Sequence, residues 1–129
     1  MQANIYPDII TKEFLDSNPN IMFVFGDNLQ RVGRGGAAIL RDHPQSYGFI
    51  TKKAPTHNLC DYYTPSEYKA TFALECYKLA ELAKQNPDKI WLISKVGAGL
   101  ANQFGIFEKI IEPEIKNKFR DISNIVFLW

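Results

Sequence analysis

The chain has 129 residues, 46% of them hydrophobic and 22% charged, with a formal net charge of +1. That length buries one real core, and the composition is that of a globular protein and not of a disordered one. The near-zero charge excludes a global attraction to nucleic acid but leaves room for a local basic patch. No apolar run approaches the ~18 residues of a membrane span, and Met1–Asn4 lack the basic-then-apolar layout of a signal peptide. A single cytoplasmic domain over residues 1–129, without membrane contact, is therefore expected. The two cysteines, Cys60 and Cys76, form no disulfide framework and fit a reducing compartment.

Taken in chain order, residues 11–17 read as a short helix stopped by Asn18-Pro19. Ile21–Phe25 is a continuous apolar run with the length of a strand buried on both faces, ended by the turn signal Gly26-Asp27-Asn28. Residues 35–41 read as a short helix stopped by Pro44, and 47–51 as a second strand. The loop from Lys52 to Thr64 is long for a compact domain. Thr64, Pro65 and Glu67 make a helix start signal. Tyr68, Phe72, Cys76, Leu79 and Ala83 then give one apolar face to a helix running to about Gln85. A third strand follows at 90–93, then a glycine-rich loop over 95–105. Phe104, Phe107, Ile110 and Ile111 mark another helix, which Pro113 kinks and Ile115 and Phe119 continue. Residues 125–129 form the last strand. Apolar runs alternating with helical patterns predict an α/β layered fold.

Two segments carry the candidate chemistry. The first runs from the end of the first strand through Gly33-Arg34-Gly35-Gly36-Ala37. Glycines between a strand and a helix let a ligand approach the backbone, and free N–H groups at the helix start attract an anion. The second, Ser94-Lys95-Val96-Gly97-Ala98-Gly99-Leu100, also lies between a strand and a helix. Ligands of open α/β sheets sit beyond the carboxyl ends of strands, so two such loops together are more specific than either alone. The pattern is neither GxGxxG nor a P-loop.

Around these loops stand groups with two readings each. Asp27 is a general base, an acceptor for the amino group of a ligand base, or a turn-forming residue; Asn28 is equally ambiguous. Lys52 and Lys53 pair with a phosphate, act as acid or base, or are solvated. Arg31 and Arg34 reach phosphates or face water. His43 and His57 lack metal-ligand spacing; His43 ends a helix and His57 lies in the long loop. Tyr62, Tyr63 and Tyr68 stack on a base or seal the core.

These residues together resemble the macro domain family. The closest likeness is to the branch of the terminal ADP-ribose protein glycohydrolase and the antitoxin of the DNA-ADP-ribosylating toxin pair. It rests on Gly33–Ala37, on Ile50-Thr51-Lys52-Lys53 and on Gly97-Ala98-Gly99-Leu100, and spans roughly residues 21–129. A compact family of phage and bacterial proteins of this length looks similar too. The resemblance implies a three-layer α/β/α domain with a small mixed sheet that binds ADP-ribose or a related NAD-derived nucleotide. Gly33, Arg34, Gly35, Gly36, Ala37, Val96, Gly97, Ala98, Gly99 and Leu100 would hold the diphosphate, and Asp27 or Asn28 would orient the adenine or a ribose. It implies Lys52 as the catalytic lysine of an ADP-ribosyl hydrolase, with Asp27 assisting. That branch carries an aspartate where this chain has Ala101, so hydrolysis needs a substitute carboxylate, Asp27 or Asp61. No cofactor is implied, and the partners would be the nucleotide or an ADP-ribosylated protein or nucleic acid. The alternatives are a non-catalytic sensor or sequestering module, and a protein-interaction domain without a ligand.

Overall fold

The computed structural model describes residues 5–129; Met1–Asn4, on which the signal-peptide reading falls, lie outside the described residues. Strands β1 (Ile21–Asn28), β2 (Ser46–Lys52), β3 (Ile90–Ile93) and β4 (Ile125–Phe127) form one sheet in the order β2-β1-β3-β4. All three strand pairs are parallel, so the expected mixed sheet is corrected to a parallel one. The reason lies in the connections. Each joins consecutive strands by a long crossover and not by a hairpin, which returns the chain to the same end of the sheet. Among the described residues, antiparallel pairing is confined to an isolated bridge between Lys52 and Tyr62.

Helices α1 (Lys12–Ser17), α2 (Pro65–Gln85) and α3 (Ile115–Lys118) complete the α/β fold. The capping box at α2 is present as the sequence predicts: Thr64 Oγ1 accepts from the Glu67 N–H, and the Glu67 carboxylate accepts from the Thr64 N–H. That backbone bond, with help from the Lys53 ammonium, lowers the Glu67 carboxyl to about 2. No helix among the described residues is long and apolar enough to cross a membrane.

Successive residues of β1 point to opposite faces, and the sheet is buried on both. Ile21, Phe23 and Phe25 join Leu15, Ala38, Leu92 and Val126 in one apolar cluster. Val24 joins Trp91, Ile93 and the α2 face of Tyr68, Phe72, Cys76, Leu79 and Ala83 in the other. Burial pushes the Cys76 thiol up to about 12, so it is an inert core residue; Cys60 is exposed. Tyr62, Tyr63 and Tyr68 are all buried; Tyr63 and Tyr68 belong to the second cluster, while Tyr62 packs edge-on against Phe104.

Four expected elements differ in detail. β1 runs three residues past Phe25, because Gly26, Asp27 and Asn28 pair with β2 and do not turn. The helix expected at 35–41 is a single stretch of 3-10 helix, Gly36–Leu40. The helix expected from Phe104 is a π turn, Phe107–Ile111, in which the Glu112 N–H reaches back to Phe107 O at 2.7 Å. Pro113 has no N–H with which to continue an α-helical ladder, and the wider turn buries Phe107, Ile110 and Ile111 together. β4 ends at Phe127, although the Leu128 N–H still bonds Ile93 O at 3.0 Å and ties the chain to the sheet.

β2 is an edge strand, whose outward N–H and C=O groups need partners if buried. Helix α2 supplies them at Ile50: Glu75 Oε1 accepts the Ile50 N–H at 2.7 Å, and Tyr68 Oη donates to Ile50 O at 2.5 Å. Glu75 is itself buried. Replacing it by alanine strands a buried N–H, so Glu75→Ala should cost about 1–3 kcal/mol in urea unfolding. Glu75→Gln keeps an acceptor and should lose less.

Candidate functional site

The strand order places the site. From β1 the chain moves to β2 on one side, and from β2 it crosses to β3 on the other. The crevice at the carboxyl ends of β1 and β3 is therefore a topological switch point, the usual ligand position in such sheets. Both glycine loops open there. A cavity of ≈ 660 Å³ lies between them, within the range of small-molecule sites.

Its walls hold most of the residues singled out from sequence: Asp27, Asn28, Gly33, Arg34, Gly35, Gly36, Ala37, Lys52, Val96, Gly97, Gly99 and Leu100. Ala98 is the exception. It is not among the cavity-lining residues and packs against the apolar core. Thr51, Ser94, Lys95, His57, Ala101 and Arg41 also line the cavity.

The backbone of both loops presents donors. Among the described residues, the N–H groups of Gly33, Arg34, Gly35, Gly36 and Ala37 bond no acceptor, nor do those of Gly97, Gly99 and Leu100. Polar groups in this state require water or a ligand. The expected helix dipole plays little part, because five residues of 3-10 helix sum to a weak one. The donors this loop offers are its individual N–H groups.

The glycines divide by cause. Gly33 has φ +97°, a turn conformation that a side chain would strain. Gly97 combines φ +81° with close packing, since a Cβ would collide with Ile111 Cδ1. Gly35 and Gly99 have no such constraint: φ is not positive, and a Cβ at either would meet nothing within 4 Å.

Asp27 is not poised as a base. Its side chain is 1% exposed, and both oxygens are engaged. Oδ1 accepts the Asn28 N–H and stands 2.8 Å from Arg41 Nη2; Oδ2 stands 3.2 Å from Arg31 Nη1. Gly48 makes this seat, because a Cβ there would collide with the carboxylate. Asn28 is similarly committed. Its Oδ1 accepts the Gln30 N–H and its Nδ2 donates to Val32 O, which organises the loop. The bond from the Gln30 N–H to Asn28 fits its turn-forming reading, whereas Asp27, within the strand, is held chiefly by its ion pairs.

Arg41 is the residue that sequence reasoning missed. Its guanidinium, 13% exposed, reaches back from the end of the 3-10 helix. Nε donates to Gly33 O at 2.8 Å and Nη2 to Val32 O at 3.0 Å, while Nη2 also meets Asp27. It thus pins the first glycine loop to the end of β1. Nothing in the local sequence marks this role; a lone arginine at a helix end reads as solvated.

The remaining charges are cationic. Lys52 Nζ donates to Thr56 O at 2.7 Å and stands 4.3 Å over the Tyr62 ring. Lys95 Nζ stands 5.2 Å over the Phe107 ring. Neither has an ion-pair partner among the described residues. Arg34 pairs with Asp42. Lys53 points away, to Glu67 and over Tyr63. His57 Nδ1 lies 3.4 Å from Tyr62 Oη, and His43 pairs with Asp16 of α1. Asp61 bonds Thr56 and does not line the cavity.

Residues 5–103 match the family described as a family of unknown function, DUF7831. The chain belongs to that family. No curated protein and no solved structure matches it.

Removing Arg41 leaves the buried Asp27 with one cation and frees two loop carbonyls. Arg41→Ala should destabilise the domain by about 3 kcal/mol. It should also speed tryptic cleavage after Arg31 and Arg34 in the native protein, relative to other lysine and arginine sites. An unchanged cleavage rate at both would show that Arg41 does not pin the loop.

Proposed function

We propose that this domain binds ADP-ribose or a related NAD-derived nucleotide, with the diphosphate between the two glycine loops. The observation that carries the reading is the convergence of two rows of unpaired backbone N–H groups on one cavity, at the switch point of a parallel sheet. Lys52 and Lys95 on its walls add positive charge without matching carboxylates. The macro domain likeness of Gly33–Ala37, Ile50–Lys53 and Gly97–Leu100 supports the nucleotide in particular. An open cavity at this place speaks against an interaction domain with no ligand. The nucleotide is free or carried on an ADP-ribosylated protein or nucleic acid. A cytoplasmic setting goes with the free thiols of Cys60 and Cys76.

Ligand binding stabilises the folded state by mass action, about 2.7 kcal/mol at a hundredfold excess over Kd. ADP-ribose should therefore raise Tm by several degrees. Gly35→Glu adds an acid where no protein atom is near. It should leave the Tm of the unliganded protein close to wild type and abolish the shift. A wild-type protein whose Tm does not respond to ADP-ribose, NAD or cyclic ADP-ribose sinks the reading.

Of the two forms this function takes, the non-catalytic binder has the better support. Asp27 is the sole carboxylate among the described cavity residues, and both its oxygens are held by arginines. Ala101, buried on the cavity wall, is the residue that the macro domain likeness aligns with the hydrolase aspartate. Incubation with ADP-ribosylated protein or DNA should thus release no ADP-ribose. Release by the wild type that is lost in Lys52→Ala would establish the hydrolase instead.

A further inference from the structure

The chemistry left over for a ligand is one-sided. A nucleobase edge carries donors and acceptors in a fixed pattern, and selective sites read it with side chains that present both, or with unpaired polar groups aimed at it. In this cavity the Asp27 and Asn28 side chains and the hydroxyl protons of Thr51 and Ser94 are already spent on the protein, and the His57 imidazole, which donates or accepts according to its tautomer, does not distinguish one base edge from another. Both oxygens of Asp27 are bound by arginines and by the Asn28 N–H. The Asn28 amide is used at both ends within its own loop. Thr51 Oγ1 donates to Asp27 O at 3.4 Å, and Ser94 Oγ to Val24 O at 2.7 Å. No Phe, Tyr or Trp among the described residues lines the cavity to stack on a base. Beside that imidazole, what remains is dominated by donors suited to phosphate oxygens: the unpaired N–H groups, the Lys95 ammonium, and the Lys52 ammonium, which also donates to Thr56 O.

We infer that the site recognises the diphosphate and does not read the base, so that its ligand class is the nucleoside diphosphate irrespective of nucleobase. This rests on the nucleotide-binding reading above and narrows it. The donors stand at the ends of β1 and β3, where the two loops face one another across the cavity. Two linked phosphates can engage both rows at once. The base then lies against Val32, Pro55 and Leu100, apolar surface that any base covers equally well.

The test is calorimetric titration of the full chain with ADP, GDP, UDP and ADP-ribose at one salt concentration. The three nucleoside diphosphates should bind with Kd values within tenfold of one another, and Lys95→Ala should weaken all three by the same factor. A spread greater than tenfold among ADP, GDP and UDP overturns the inference, whichever binds best. Binding of ADP-ribose without binding of any nucleoside diphosphate also overturns it, since the diphosphate would not be the recognised group; wherever ADP-ribose itself binds, the ADP-ribose reading stands. If none of the four binds, the inference falls, and if Tm also fails to respond to NAD and cyclic ADP-ribose the nucleotide reading falls with it.

Discussion

A carboxylate buried at the carboxyl end of a central strand is costly unless it is neutralised and hydrogen-bonded. Asp27 meets that demand with two guanidinium groups and a backbone N–H, and much of the site follows from how it does so. Its position requires Gly48 on the neighbouring strand, where any side chain would intrude. Its partner Arg31 adopts φ +57° and also donates to Gly48 O at 2.9 Å, which turns the chain sharply out of β1. Its partner Arg41 fastens the carbonyls of Val32 and Gly33. Two carbonyls of that loop are thus held by arginine, while the N–H groups of Gly33–Ala37, on the cavity wall, bond no acceptor among the described residues. A buried acid thus organises a surface suited to an anion, by consuming the arginines that would otherwise dominate it.

The second loop is held by packing and not by charge. Gly97 sits against Ile111 of the π turn, and Val96 and Ala98 are part of the same apolar cluster as α2. Ser94 anchors the loop's start to Val24 O through both its N–H and its hydroxyl. The two walls of the cavity therefore have different physical origins. One depends on buried ion pairs and the other on close apolar contact, so charge-removing and core substitutions act on them separately.

Much of this fold is legible in the sequence because it depends on periodicity and caps. The span of α2 follows from Thr64, Glu67 and its apolar stripe, and β3 from Ile90–Ile93 between two turn signals. Where the expectation fails, a long-range contact overrides a local signal. Gly26-Asp27-Asn28 has turn composition, yet pairing with β2 keeps it extended through a bulge between Asp27 and Asn28. Phe104 fits a helical stripe but precedes the helix, because the π turn is set by burial of Phe107, Ile110 and Ile111. The mixed sheet came with the family resemblance and not from the residues. At the site, the glycine loops are legible as composition. The roles of Asp27 and Arg41 are not, since they lie far enough apart in sequence that only the folded chain brings them together.

The division among the glycines has a consequence for how such a domain evolves. At Gly48 and Gly97 the fold itself forbids a side chain, so substitutions there are removed by instability whatever the ligand. At Gly35 and Gly99 the fold is indifferent. Side chains appearing at those two positions change the shape and charge of the cavity without touching its scaffold. They are the places where lineages of this family can diverge in what they hold while remaining equally well folded.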